Sequence, residues 1–189
     1  VIIGLNFYPI RLSTNAWMWL VGAYIMIASV APVWIPGKVM SKTLRLAAPL
    51  QYESVVDGPG FRIVLWTQGC RMNCPGCHNP ETHDECGGKE HYIEDILLSL
   101  DAHYKHHQGL TLSGGDPFLQ PLQCKEIAQY AKRLGLDVWA YCGMTFEQLI
   151  QDPDKLELLK ECDVLVDGPF VMAKRDTTLA FRGSSNQQI

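Results

Sequence analysis

Cys70, Cys74 and Cys77 are the residues of this chain best suited to chemistry. They are spaced C-x3-C-x2-C within Gly69-Cys70-Arg71-Met72-Asn73-Cys74-Pro75-Gly76-Cys77-His78-Asn79-Pro80. Three thiolates on one short loop suit an iron–sulfur cluster, which ordinarily takes four cysteines. A [4Fe-4S] cube held by three leaves one iron without a protein ligand, and an open coordination position distinguishes catalytic metal centres from structural ones. The competing reading is zinc, which prefers four ligands grouped in pairs. His78 would have to supply the fourth, and its place directly after Cys77 strains a tetrahedral site.

The elements around the loop are those needed to hold it. Phe61-Arg62-Ile63-Val64-Leu65-Trp66 reads as a buried strand, which puts the cysteines at its C-terminal edge. Gly69 and Gly76 let the backbone curl around a bulky cluster, and Pro75 stiffens the turn between the last two ligands. Downstream, Ile93, Ile96, Leu97 and Leu100 recur at helical spacing. Residues 110–113 read as a strand, 122–134 as a helix closed by Gly135, and 137–141 as a further strand. Thr145 with Gln148 forms a capping-box pattern, 155–160 is helical, and 163–166 is the last strand. Alternating strands and helices imply an α/β fold with a parallel sheet and right-handed crossovers. The strands are too few to close an eight-stranded barrel, so a partial, open parallel (β/α) barrel is expected. Ligands of such sheets bind at strand C-termini. Cys70 to Cys77, Gly114 to Pro117 and Tyr141 to Gly143 all fall there, so three loops converge on one face.

Size and composition bound the rest. The 189 residues suffice for one domain with its own core. A net charge of −4, with no basic tract, gives no indication of nucleic-acid binding. Seven cysteines, an odd number without the spacing of a disulfide framework, indicate a reducing, cytoplasmic setting. The chain changes character near residue 40. Residues 1–39 carry only Arg11 and Lys38 as charges, and 16–35 run uncharged for about the length of a membrane-crossing helix, with Trp and Tyr as at an interface. Two readings stay open for this apolar extension: a transmembrane anchor that leaves residues 40–189 in the cytoplasm, or residues lying upstream of a true start at Met40.

A second motif is Leu112-Ser113-Gly114-Gly115-Asp116-Pro117. Two glycines remove side chains where a ligand lies against a strand end, exposing backbone groups that pair with an ammonium and a carboxylate. Asp116, before a proline, is biased towards an extended conformation that ends the strand. Alone this stretch is ordinary turn chemistry; beside the cysteine motif it reads as a site.

With both motifs in place, the sequence resembles the radical S-adenosylmethionine superfamily and, within it, the family of activating proteins of anaerobic ribonucleoside-triphosphate reductase. The resemblance rests on Val56-Asp57-Gly58-Pro59-Gly60, the cysteine stretch from Gly69 to Asn79, Leu112 to Pro117, Val164-Leu165-Val166-Asp167-Gly168-Pro169-Phe170, and the tail Phe181-Arg182-Gly183-Ser184-Ser185-Asn186-Gln187. It covers the chain from about residue 45 to the end. Gly76 departs from the wider pattern, in which an aromatic residue often precedes the last cysteine; adenine is then left to the backbone or to His78.

The resemblance implies a radical S-adenosylmethionine domain over residues 40–189. It implies a [4Fe-4S] cluster on Cys70, Cys74 and Cys77, and an S-adenosylmethionine site at Gly76, Cys77, His78, Gly114, Gly115 and Asp116. It further implies reductive cleavage of S-adenosylmethionine to methionine and a 5′-deoxyadenosyl radical, which makes a glycyl radical on a partner. That partner would be the large catalytic subunit of the reductase, with an electron donor such as flavodoxin. Activation of another glycyl-radical enzyme, of the pyruvate formate-lyase type, and a non-catalytic iron–sulfur or zinc module are the competing functions.

Other residues invite weaker roles. His83, His91, His103, His106 and His107 read as surface residues, Lys174-Arg175-Asp176 as a solvated charged stretch, and Cys86, Cys124, Cys142 and Cys162 as free thiols. Trp139 and Tyr141 share one face of a strand and read as packing, within reach of an adenosine.

Overall fold

The structure, a computed structural model, describes residues 43–189. The expectations for residues 1–39, including a membrane span at 16–35, lie outside these residues. Among the described residues, no helix is long and apolar enough to cross a membrane.

The fold is mixed α/β. Seven strands form one sheet: β1 (Thr43–Leu46), β2 (Gln51–Ser54), β3 (Arg62–Thr67), β4 (Lys89–Tyr92), β5 (Gly109–Gly114), β6 (Asp137–Tyr141) and β7 (Val164–Val166). Their order is β4-β1-β3-β5-β6-β7, with β2 also paired to β3. The run β3-β5-β6-β7 is parallel, as the alternation of strands and helices requires. The other three strands correct the expectation of a parallel sheet, since β1, β2 and β4 pair antiparallel. Each has four residues, and β2 (QYES) and β4 (KEHY) are too polar to announce themselves by periodicity.

Among the described residues, four α-helices accompany the strands: α1 (Ile93–His103), α2 (Pro121–Arg133), α3 (Phe146–Leu149) and α4 (Pro153–Leu159). Pro121 opens α2 at a position where no backbone N–H is needed. Past its end, Gly135 takes a left-handed φ of +84°, and the Leu136 N–H reaches back to the Ala131 carbonyl at 3.0 Å. The capping-box bond of α3 is present, with the Thr145 N–H donating to Gln148 Oε1 at 2.9 Å.

Period-two alternation gives the parallel strands two unlike faces. Ile63, Leu65, Leu110, Leu112, Val138 and Ala140 point into an aliphatic core shared with Ile96 and Leu100 of α1, Ile127 and Ala131 of α2, and Leu149 and Leu158. Burying each such side chain contributes about 1.5–3 kcal/mol. The opposite face presents Arg62, Trp66, Thr111, Ser113, Trp139 and Tyr141, and at its C-terminal end it becomes the floor of a cleft.

The N-terminal end of that face is plugged by Arg62, which a reading of residues 61–66 as a continuous apolar strand does not anticipate. Arg62 is fully buried, whereas Phe61 is half exposed. Its Nη2 donates to Asp137 Oδ1 at 2.6 Å and to the Leu110 carbonyl at 2.9 Å, and its Nε donates to Thr111 Oγ1 at 2.6 Å. The guanidinium also lies 5.4 Å from the Trp139 ring centre. A buried cation is tolerated when it is paired and its donors are used, and this one meets both conditions.

Candidate active site

The cysteine loop leaves the end of β3 and is held by backbone hydrogen bonds and by the side chains of Gln68 and Arg71, the latter paired with Glu85 at 2.7 Å. The Gly69 N–H donates to the Thr82 carbonyl at 2.8 Å, and the Cys70 N–H to the His83 carbonyl at 3.2 Å. Gln68, almost fully buried, sends Nε2 to the carbonyls of Asp84 (2.7 Å) and Glu81 (3.2 Å), and so fastens the return of the loop. Between the last two cysteines the chain turns tightly, with the Cys77 N–H donating to the Cys74 carbonyl at 3.1 Å. Gly76 takes φ +73° there, and a Cβ on it would collide with Met172.

The Gly-Gly motif of β5 packs against this loop. The Gly115 N–H donates to the Thr67 carbonyl at 2.8 Å, and the Asp116 N–H to the Gly69 carbonyl at 2.7 Å. A Cβ at Gly114 would collide with the Thr67 backbone, and one at Gly115 with that of Gly69. The glycines therefore first make room for the backbone that carries the cysteines. The ligand-facing role expected from sequence is compatible with this, because both glycines also line the cleft.

Asp116 turns the other way. It is 2% exposed and lies off the cleft wall. Its Oδ1 accepts from the Phe118 N–H at 2.9 Å, and its Oδ2 accepts from the Gly143 N–H and from Cys142 Sγ, each at 3.3 Å. Burial pushes its carboxyl above the usual range, and these hydrogen bonds oppose the push. The carboxylate thus ties the end of β5 to the Cys142–Gly143 turn after β6.

These parts enclose a cleft of about 500 Å³. Cys70, Cys74 and Cys77 line one side together with His78, whereas Gly76 does not reach the wall. Ser113, Gly114 and Gly115 form the floor, beside Tyr141 and Gly143. A further wall is one that sequence reasoning did not place: Phe170, Phe181, Arg182, Gly183 and Gln187. The tail is stitched there by its own motif. Gln187 Nε2 donates to the Gly168 carbonyl at 3.1 Å, its Oε1 accepts from the Gly183 N–H at 2.9 Å, and Asn186 Nδ2 donates to the Pro169 carbonyl at 2.8 Å. Ser184 is fully buried and accepts the Val171 N–H at 3.2 Å. The density of hydrogen-bonding residues in Arg182-Gly183-Ser184-Ser185-Asn186-Gln187 was the available signal that this tail is structured rather than loose.

The donor set fits a cluster. All seven cysteines are free thiols, and the three of the loop are partly exposed. Burial pushes the Cys70 thiol above its ordinary value, with smaller upward pushes from Asp116, Cys74 and Cys77. Among the described residues, no three His, Cys, Asp or Glu side chains could hold a single metal ion. A cubane presents its iron corners in different directions. Three loop thiols suit a cluster with one open position better than they suit zinc, which prefers four protein ligands in a closed site.

Of the remaining candidates, Trp139 is buried against Phe181 at 5.4 Å between ring centres. Tyr141 reaches the cleft, and burial, then Asp57, keeps its hydroxyl protonated. His103 stacks on Tyr52 at 4.0 Å, and the His107 ring accepts the Glu53 N–H at 3.1 Å. His83 departs from a simple surface position, since its Nε2 is buried without a hydrogen-bond partner.

Residues 56–189 match the family described as a 4Fe-4S single cluster domain. The anaerobic ribonucleoside-triphosphate reductase-activating protein of Escherichia coli (strain K12) is 36% identical, over 71% of this chain and 91% of that one. The chain belongs to this activating-protein family. The Vibrio cholerae member is 37% identical over 71% of this chain and 90% of its own length, and that of Enterobacteria phage T4 is 36% identical over 71% and 86%. The crystal structure of QueE from Escherichia coli overlaps more loosely, with a TM-score of 0.45 at 14% identity over 55% of this chain and 53% of that one. The activating proteins are enzymes, and the cysteine loop, the Gly-Gly strand end and the tail all lie inside the span matched by the cluster-domain family.

Proposed function

We propose that this member of the activating-protein family generates a glycyl radical on the large catalytic subunit of an anaerobic ribonucleoside-triphosphate reductase. The observation that carries this reading is the shared cleft: three cysteines, one fewer than a closed cluster takes, line a space of small-molecule size together with the Gly114–Gly115 strand end. The parallel strands β3, β5, β6 and β7 are the arc of a partial barrel whose inner face supplies the floor. When bound, a [4Fe-4S] cluster supplies one electron to the sulfonium of S-adenosylmethionine, giving methionine and a 5′-deoxyadenosyl radical that removes a hydrogen atom from a glycine of the partner.

The chain's own residues bind, orient and exclude water. Cys70, Cys74 and Cys77 would hold the cluster and, being three, would leave one iron open to the substrate. The Gly114–Gly115 backbone and the neighbourhood of Cys77 and His78 receive S-adenosylmethionine, with Gly76 as the turn that permits it. Asp116 serves the same site by holding the Cys142–Gly143 turn in place. A low-potential donor such as flavodoxin delivers the electron, and the setting is the reducing cytoplasm.

The test is anaerobic reconstitution followed by reduction with S-adenosylmethionine present. The wild type is expected to form 5′-deoxyadenosine and Cys74→Ala to form none; equal formation by both would sink the three-ligand assignment. Electron paramagnetic resonance of the co-expressed large subunit should show a glycyl radical. A signal only on a pyruvate formate-lyase-type enzyme would reassign the partner.

A further inference from the structure

Arg182 is the only lysine or arginine among the described residues that line the cleft. Its Nη1 donates to the Gln187 carbonyl at 3.2 Å, a bond that anchors the side chain within its own tail. Its Nε is shielded from water and has no hydrogen-bond partner. The side edge of the guanidinium, Nε with Nη2, therefore makes no bond to a described residue, and this edge is one that a carboxylate accepts bidentately. An arginine kept for structure alone uses its donors, as Arg62 does with Thr111, Leu110 and Asp137. A buried unpaired N–H is costly, and an anion that met it would remove that cost.

The neighbouring residue brings the Arg182 backbone close to the cysteine loop. An added Cβ on Gly183 would sit 3.4 Å from His78 Cε1 and 3.0 Å from the Phe170 ring, so Arg182 lies next to the point where the tail meets the residue after Cys77. S-adenosylmethionine carries a sulfonium, an ammonium and one carboxylate; a guanidinium attracts only the last.

We propose that Arg182 binds the carboxylate at the amino-acid end of S-adenosylmethionine, so that the C-terminal tail takes part in substrate recognition. This rests on the reading above that the cleft takes S-adenosylmethionine. The experiment measures equilibrium binding of S-adenosylmethionine and of its decarboxylated analogue to the anaerobically reconstituted full chain, as wild type and as Arg182→Gln. The wild type is expected to prefer S-adenosylmethionine, and Arg182→Gln to reduce that preference by roughly tenfold, the worth of one charge-assisted hydrogen-bonded contact. Arg182→Lys, which keeps the charge and loses the fork, should fall between the two. A general folding defect weakens both ligands alike and leaves the ratio unchanged, so the ratio isolates the carboxylate. An unchanged ratio in Arg182→Gln overturns the assignment. A wild type that binds neither ligand overturns the S-adenosylmethionine reading itself, and the assignment with it.

Discussion

At the N-terminal edge of the parallel strands, Arg62 is fully buried and spends its donors on Thr111, Leu110 and Asp137. At the C-terminal edge, Arg182 makes one bond to Gln187 and keeps a buried Nε without a partner. The same residue type thus marks two kinds of region on one face of one sheet. The closed end is a stability device, and Arg62 does not line the cleft. The open end leaves thiols, backbone and a cation unspent around a space of about 500 Å³. Hydrogen-bond satisfaction separates the two, because a fold retains an unsatisfied buried donor at a cost that binding can offset.

Removing chemistry at the open end should leave the fold standing. Cys70→Ala is expected to lower 5′-deoxyadenosine formation to background and iron content with it, while urea unfolding of the metal-free protein moves by less than about 1 kcal/mol. A large loss of stability in the metal-free protein would erase the contrast. At the closed end the pattern should reverse. Arg62→Met leaves Thr111 and Leu110 without their donor and Asp137 without its cation, and should cost about 3 kcal/mol in the same urea measurement. A loss under about 1 kcal/mol would show that the plug is dispensable.

Gly115→Ala tests the seam between strand end and loop. Its Cβ meets the Gly69 backbone, so the cysteine loop must shift. A loss of about 2 kcal/mol is expected, with cluster retention reduced in parallel, read from iron content after desalting. Full cluster retention would show that the loop is not positioned through Gly115.

The smallest effect lies on the helical side, away from both ends. Contacts with Lys125 of α2 and with Lys160 lower the Glu157 carboxyl from 4.5 to about 2. A carboxylate with a depressed folded value contributes stability above its unfolded value and loses that contribution as pH falls through the folded one. Stability should therefore decline slightly more between pH 4.5 and 2 in the wild type than in Glu157→Gln, measured by thermal unfolding across that window. Parallel pH profiles for the two proteins would remove the pair from the account.

Periodic segments were the readable part of the fold. Residues 122–134 were expected as a helix closed by Gly135, and the helix runs Pro121–Arg133 with its terminus folded as expected. Strands β5 and β6 came within a residue of their expected limits, since apolar runs bounded by glycine are local signals. The antiparallel strands β1, β2 and β4 were not readable, because four-residue segments, polar in β2 and β4, become strands only through the neighbours they find. Asp116 was expected at the S-adenosylmethionine site, and where its carboxylate turns was not legible: it bonds Gly143 and Cys142, which lie at a strand end reached only through the sheet.

The sequence by itself determined the local chemistry: the spacing of Cys70, Cys74 and Cys77 puts three thiols on one loop, and Gly114-Gly115 marks a strand end, each within a short stretch of chain. Tertiary structure decided which distant residues share that chemistry. It buried Arg62 and filled its valences, and it folded Arg182 to Gln187 back across the cleft through contacts with Gly168 and Pro169. Whether a donor is spent or free depends on partners far away in the chain, and a pattern along the chain does not carry that information.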